Sequence, residues 1–363
     1  MKRNVFAPHT QYNLIISLAM VNGPYKEDQN DLILFTDFAI SESMKDLLEK
    51  QFSRVKYCSG TFPKENKRWK NKIKTIPKTI NDLKDFLTNR YDRLLVVCDT
   101  AIPELWLIKH LKNKNPKLNI QWIEDGAWPY FTNDAIQTGF NKNPFARSIR
   151  FIIGKLIFGK YYNFKGTDIG SNNWIEEYLL TYPEAVREGF GTGKRKIEIP
   201  DKEFQMGMQL LYSETKYKLP NKAVVVVLDK IDVYKNKFAV FEVLEKIFVK
   251  CDEEKIPLYY KCHPREEEVI HATVSVTEID RNLGIEGVYT SNMGKDICFI
   301  GIKSTGLQTA KKCGFKAVSL AQMLKEANSE AVQFYNKIGV HQIKNKNEFD
   351  EFIKKLEETN YDY

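Results

Sequence analysis

The chain reads as two runs of alternating short apolar segments and amphipathic segments, separated by a stretch in which that alternation breaks. In the first run, Val5–Phe6 is a short strand and Tyr12–Val21 has helical spacing. Asp31–Thr36 (DLILFT) predicts a buried strand, and Ser41–Phe52 a helix with Ser41 placed to cap it. Val55–Cys58, Leu94–Cys98 and Asn119–Ile123 predict strands, with helices over Thr79–Thr88 and Pro103–Leu111 between them. Strand and helix repeating at this spacing predict a parallel, doubly wound sheet.

The alternation then changes. Phe145–Phe158 predicts an apolar helix carrying Arg147, Arg150 and Lys155, and Asn172–Leu180 a second helix. Gly189–Lys196 (GFGTGKRK) is glycine-rich and basic. A second run opens with the wholly apolar strand Ala223–Leu228 (AVVVVL). It continues through a helix over Phe238–Cys251 and strands over Pro257–Lys261, Thr273–Thr277 and Ile297–Ile302. A helix over Gly306–Cys313, strands over Ala317–Leu320 and Gly339–Ile343, and a helix over Glu348–Glu358 close it.

A chain of 363 residues suits two domains of about 150 to 200 residues each. We expect an α/β protein of two Rossmann-like domains facing across a cleft. Residues 1–200 form the first, with a helical insertion at 140–185 and a basic hinge at 189–220, and residues 221–363 form the second. In open α/β sheets ligands bind beyond the carboxyl ends of the strands, so chemistry is sought there.

Composition narrows the class without choosing a function. Hydrophobic residues at 43% and aromatics at 12% are ample for packed cores. A formal net charge of +8 favours anionic partners such as sugar nucleotides, acidic glycans, a membrane face or nucleic acid. A Lys-rich soluble surface explains it equally well. The six cysteines form no CxxC pair, which signals neither a zinc site nor a disulfide framework and fits a cytoplasmic protein. The N-terminus reaches Pro8, His9 and Gln11 too soon for a signal-peptide core. No apolar run approaches the ~20 residues of a membrane span, so membrane contact, if made, is peripheral, at the inner face.

Three motifs sit at predicted strand ends. Glu124-Asp125-Gly126 follows the strand ending at Ile123. Crowding of two carboxylates raises one pKa, which suits a general base, and Gly126 permits a sharp turn. The bland reading is an acidic turn. His263-Pro264-Arg265 follows the strand ending at Lys261; flanking Lys261 and Arg265 would make His263 suited to a leaving phosphate. The bland reading is a surface histidine. Ser304-Thr305-Gly306 joins a strand to a helix, where amides and hydroxyls make an anion site or simply a cap.

The order Glu-Asp-Gly, His-Pro, Ser-Thr is similar to the motif order of bacterial sialyltransferases. With the length, basic balance and two-Rossmann layout, the chain resembles the lipooligosaccharide sialyltransferase family (glycosyltransferase family 52), from Val5 to about Gln342. The resemblance implies the GT-B architecture and an inverting, metal-independent transfer of sialic acid from CMP-sialic acid, with no cofactor. It implies Asp125 as the base on the acceptor hydroxyl, and His263 with Pro264, Ser304 and Thr305 at the donor phosphate. Glu286, in Gly284-Ile285-Glu286, is the candidate for the ribose hydroxyls, although the proline of the family's I-P-x-E context is absent. On the acceptor side stand Glu124, Gly126, Trp128 and His9, with Thr10 as a helix cap beside His9 and Tyr130 beside Trp128. The implied partners are a nucleotide sugar and an acceptor oligosaccharide or glycolipid of lipooligosaccharide or capsule type, not nucleic acid.

Gly189–Lys194 lacks both the preceding buried strand and the hydroxyl residue of a phosphate loop, and is read as a hinge. Phe145–Phe158 stays open between core, homodimer contact and membrane-facing helix. Two other functions stay open: a related transferase using CMP-Kdo or a UDP-hexose, and a non-catalytic glycan-binding protein.

Overall fold

The computed structural model describes residues 1–59, 69–99, 101–132, 144–162, 169–264, 266–267, 270 and 272–356. It divides into two compact units. The first comprises Met1–Pro129, Asn133–Pro183 and Glu188–Leu211, and the second Tyr130–Thr132, Glu184–Arg187 and Tyr212–Tyr363.

The first unit is built on a seven-stranded parallel sheet of order β3-β2-β1-β4-β5-β6-β7. Its strands are β1 (Arg3–Ala7), β2 (Gln29–Thr36), β3 (Arg54–Ser59), β4 (Arg93–Val96), β5 (Asn119–Ile123), β6 (Glu177–Leu180) and β7 (Arg195–Glu198). Helices α1 (Gln11–Asn22), α2 (Glu42–Gln51), α3 (Trp69–Phe86), α4 (Ile102–Lys114), α5 (Pro144–Phe158) and α6 (Asp201–Leu211) accompany it. The run Asn30–Phe35 in β2 is buried throughout, as expected of a parallel strand covered on both faces. Val5, Ile33, Phe35, Leu94, Val96 and Ile120 pack there with Leu107, Ile108 and Leu111 of α4. The chain leaves β1 towards β3 and returns to β1's other side with β4. The β1 and β4 ends therefore form a topological switch point.

The second unit holds a six-stranded parallel sheet of order β10-β9-β8-β11-β12-β13. Its strands are β8 (Lys222–Val227), β9 (Leu258–Lys261), β10 (Thr277–Glu278), β11 (Asp296–Gly301), β12 (Lys316–Ser319) and β13 (His341–Gln342). Its helices are α7 (Lys237–Glu253), α8 (Ile285–Asn292), α9 (Thr305–Lys312), α10 (Ser329–Lys337) and α11 (Lys346–Lys355). β8 lies between β9 and β11, so this sheet too changes winding direction at its first strand.

Several expectations need correction. Asn172–Leu180 is not a helix: its last four residues form β6, with Tyr178 opposite Trp122 of β5. Residues 189–220 contain β7 and α6, both part of the first unit, and the division between the units falls at Leu211–Tyr212. Phe190 is buried there against Trp122 and Tyr178, and Gly189–Lys194 leads into a strand. Of Thr273–Thr277 only Thr277 pairs in a strand, continuing into Glu278. Helix α3 begins at Trp69 and passes through Pro77. Helices α8 and α10 were not foreseen.

Candidate active site

In the first unit, acidic and basic groups gather where β1, β2 and β5 end. Thr10 caps α1: its hydroxyl accepts the Asn13 amide, and the Asn13 side chain accepts the Thr10 N–H in return. That box fixes the turn carrying His9, which stacks on Phe35 with ring centroids 4.5 Å apart. His9 is only 5% exposed. Its Nδ1 lies 3.0 Å from the Asp37 carboxylate, just past β2, and its Nε2 lies 2.9 Å from Glu104, in the first turn of α4. Burial alone would lower the His9 pKa, but the charges and hydrogen bonds of Glu104 and Asp37 overcome it and raise it to about 10. The imidazolium is thus held inside the protein between two carboxylates. One cation cannot balance two carboxylates, and burial raises the pKa of the fully buried Glu104 against His9's pull.

The two acids of Glu124-Asp125-Gly126 part company at the end of β5. The Glu124 carboxylate, fully buried, accepts hydrogen bonds from the Thr181 amide and hydroxyl, each at 2.7 Å, and from the Tyr12 hydroxyl. It is a tie between β5, β6 and α1, with nothing left to offer a ligand. Asp125 is exposed, as the alternation of side chains along an extended segment requires. Gly126 has φ of 57°, a conformation costly for a residue with a Cβ, and turns the chain away from the carboxylate.

The Asp125 pKa is raised by the protein packed around it, while the His9 charge and a hydrogen bond from Asn13 act downward. The Glu124 charge is not among the causes, so the expected crowding of two carboxylates is replaced by desolvation. Trp128 is half-buried, and its Nε1 is buried without an acceptor among the described residues. Tyr130 belongs to the second unit and stacks on Phe334 at 4.4 Å, so its role there is packing.

In the second unit, the ends of the adjacent strands β9, β8 and β11 carry His263, Asp229 and Ser304. His263 is half-buried and Pro264 exposed; Arg265 lies outside the described residues. The loop is pinned by Glu266, whose carboxylate accepts the Ile231 amide at 2.6 Å and whose carbonyl accepts Arg281 at 2.6 Å. Lys261 does not flank His263 with an exposed charge. It is 3% exposed, and its ammonium donates to the carbonyls of Cys262 and Arg281. Burial lowers its pKa, with the Glu286 charge among those opposing.

Glu286 stands in the first turn of α8, its pKa raised by burial and pulled down by its own amide and by Lys261. Ser304 caps α9 by accepting the Gly306 amide at 3.2 Å, so its hydroxyl is engaged, whereas Thr305 is exposed at the helix start. An exposed helix start favours an anion. Asp229, which sequence reasoning missed, accepts the Lys303 amide at 3.3 Å, and burial raises its pKa to about 6. A polar residue two positions past the most apolar strand was the signal available. Among the described residues no group of three or more His, Cys, Asp or Glu side chains is arranged to hold a metal ion.

At low identity the chain is similar in fold to several solved structures. UDP-GlcNAc 2-epimerase from Methanocaldococcus jannaschii is 10% identical with a TM-score of 0.55, over 99% of this chain and 94% of that one. The S. aureus MnaA–UDP co-structure is 14% identical at 0.51, over 99% and 88%. Spinosyn forosaminyltransferase SpnP is 11% identical at 0.50, over 99% and 91%. With the two parallel sheets they identify the α/β, two-domain GT-B fold. No curated protein matches the chain in sequence. The alpha-2,8-polysialyltransferase (POLYST) family, in contrast, matches residues 18–319, a span that includes Asp125, His263, Ser304 and Thr305. The chain is a glycosyltransferase and belongs to the alpha-2,8-polysialyltransferase family.

Proposed function

We propose that this enzyme moves sialic acid from CMP-sialic acid to a hydroxyl of an acceptor glycan, with inversion and without a metal. Asp125 takes the acceptor proton as the hydroxyl oxygen attacks the anomeric carbon. The bond from that carbon to the phosphate oxygen breaks, and CMP leaves. His263 and the α9 start with Thr305 meet the negative charge left on the phosphate, and Ser304 holds that helix start in place. Glu286 takes the ribose hydroxyls. The donor has a single phosphate, so hydrogen bonds and one imidazole suffice for its departure. The observation that carries this reading is the division between Glu124 and Asp125: one is saturated, the other exposed at a strand end.

The family's name favours a sialic acid at the acceptor end, receiving the new sugar on its 8-hydroxyl, over a lipooligosaccharide acceptor. A cytoplasmic location belongs to the same proposal and fits six free cysteines. The test is to offer CMP-Neu5Ac, CMP-Kdo and a UDP-hexose with a sialylated oligosaccharide, following nucleotide release and the anomeric configuration of the product. Release of CMP from CMP-Neu5Ac with an inverted linkage supports the reading. Turnover of the UDP-hexose alone, or retention, contradicts it.

A further inference from the structure

Helix α5 carries an apolar row on its outside. Ile152 is 58% exposed, Ile153 50%, Leu156 80% and Ile157 53%. The other large apolar side chains exposed among the described residues, Met1, Ile102, Val233 and Phe238, are scattered through the chain. At 3.6 residues per turn the four span an arc of about 140°. The opposite side fixes the helix. Phe151 and Phe158 pack on the Tyr162 ring at 6.0 and 6.4 Å. Gly154 lies so near that ring that a Cβ would come within 2.5 Å of it. Lys109 of α4 donates to the Ile157 carbonyl at 2.6 Å. The outward direction of the row is set by this inner packing.

The same stretch is also one-sided in charge. Between Asp134 and Asp168 there is no acidic residue, while Lys142, Arg147, Arg150, Lys155, Lys160 and Lys165 supply six cations of a chain whose formal net charge is +8. The two features together select the occupant. A soluble polyanion would meet the cations but leave the isoleucines in water. A second copy would cover the isoleucines but bring its own Lys155 and Lys160 towards the same cations. An anionic bilayer satisfies both, and at 15 residues the helix fits the plane of the interface, not a span. No helix among the described residues is long and apolar enough to cross a membrane.

We propose that α5 docks this protein flat onto an anionic lipid surface, with Ile152, Ile153, Leu156 and Ile157 at the acyl boundary and Lys155 and Lys160 among the head groups. The inference stands on α5 alone and does not depend on the donor sugar.

The full chain is sedimented with vesicles of phosphatidylcholine, and of phosphatidylcholine mixed with phosphatidylglycerol. The protein pellets with the mixed vesicles only, and salt releases it. Ile153→Glu with Leu156→Glu lowers partitioning at least about tenfold at an unchanged melting temperature, since both residues are exposed. Lys155→Glu with Lys160→Glu lowers it also, without touching the apolar row. Equal pelleting of wild type and the Ile153/Leu156 variant, equal binding to both vesicle types, or no binding at all overturns the proposal. A dimer that the same variant dissociates, with vesicles left unbound, assigns the face to a second copy instead.

Discussion

The Asn13 side-chain amide donates to the Glu124 carbonyl oxygen at 3.0 Å and draws the pKa of the next residue, Asp125, downward. One fully buried amide thereby fixes the backbone that carries the proposed base, while its oxygen completes the α1 cap. Asn13 is a positioning residue. Asn13→Ala is expected to lower kcat about a hundredfold with little change in the KM for donor. Because the lost hydrogen bond favoured the ionised form, the acidic limb of the pH–rate profile moves to higher pH. A purely structural role leaves that limb in place.

Adjacent acids are expected to fail in opposite ways. Glu124→Ala strands the Thr181 donors and the Tyr12 hydroxyl and lowers stability by about 1 to 3 kcal/mol. Asp125→Ala, at an exposed position, stays within about 0.5 kcal/mol of wild type. Urea unfolding of the two variants reads the difference directly.

His9 makes stability depend on alkaline pH. Its folded pKa of about 10 lies above the ordinary 6.5, so the native state holds a proton that the unfolded chain releases. The stabilisation is complete below pH 6.5 and is lost as pH rises through about 10. His9→Gln leaves Asp37 and Glu104 facing each other without the cation. A loss of about 3 kcal/mol at neutral pH is expected, along with a flattening of this pH dependence. Unfolding free energies measured from pH 6 to 10 check both.

The two hydroxyls at the start of α9 are expected to separate. Ser304→Ala removes the cap and costs about 1 kcal/mol. Thr305→Ala, exposed at the first helical position, leaves stability unchanged and weakens CMP binding. Thermal melts and calorimetric titration with CMP distinguish them.

The legible parts of the fold were those with strong local signals. Ala223–Leu228 and Asp31–Thr36 are apolar runs that only a buried strand accommodates, and β8 and β2 formed there. Glu177–Leu180 carries too short a signal, and its place beside β5 is decided by tertiary pairing with Gln121–Ile123. In the site, sequence order placed Asp125, His263 and Ser304 at strand ends, because parallel sheets put loops there. Burial was not legible: neither that Lys261 turns inward nor that Glu124 saturates follows from residue type. His9 showed as a residue after the first strand, but its partners Asp37 and Glu104 come from β2's end and α4, which only the folded sheet brings together.

Asp125 is the proposed base of a CMP-sialic acid-dependent transfer. The direct measurement is acceptor-dependent CMP release from CMP-Neu5Ac by wild type and Asp125→Asn, beside CMP affinity for each. Wild-type turnover, a loss of at least about a hundredfold in the variant, and CMP affinity unchanged within about twofold are predicted. Full turnover by Asp125→Asn, or no CMP release by wild type, contradicts the account.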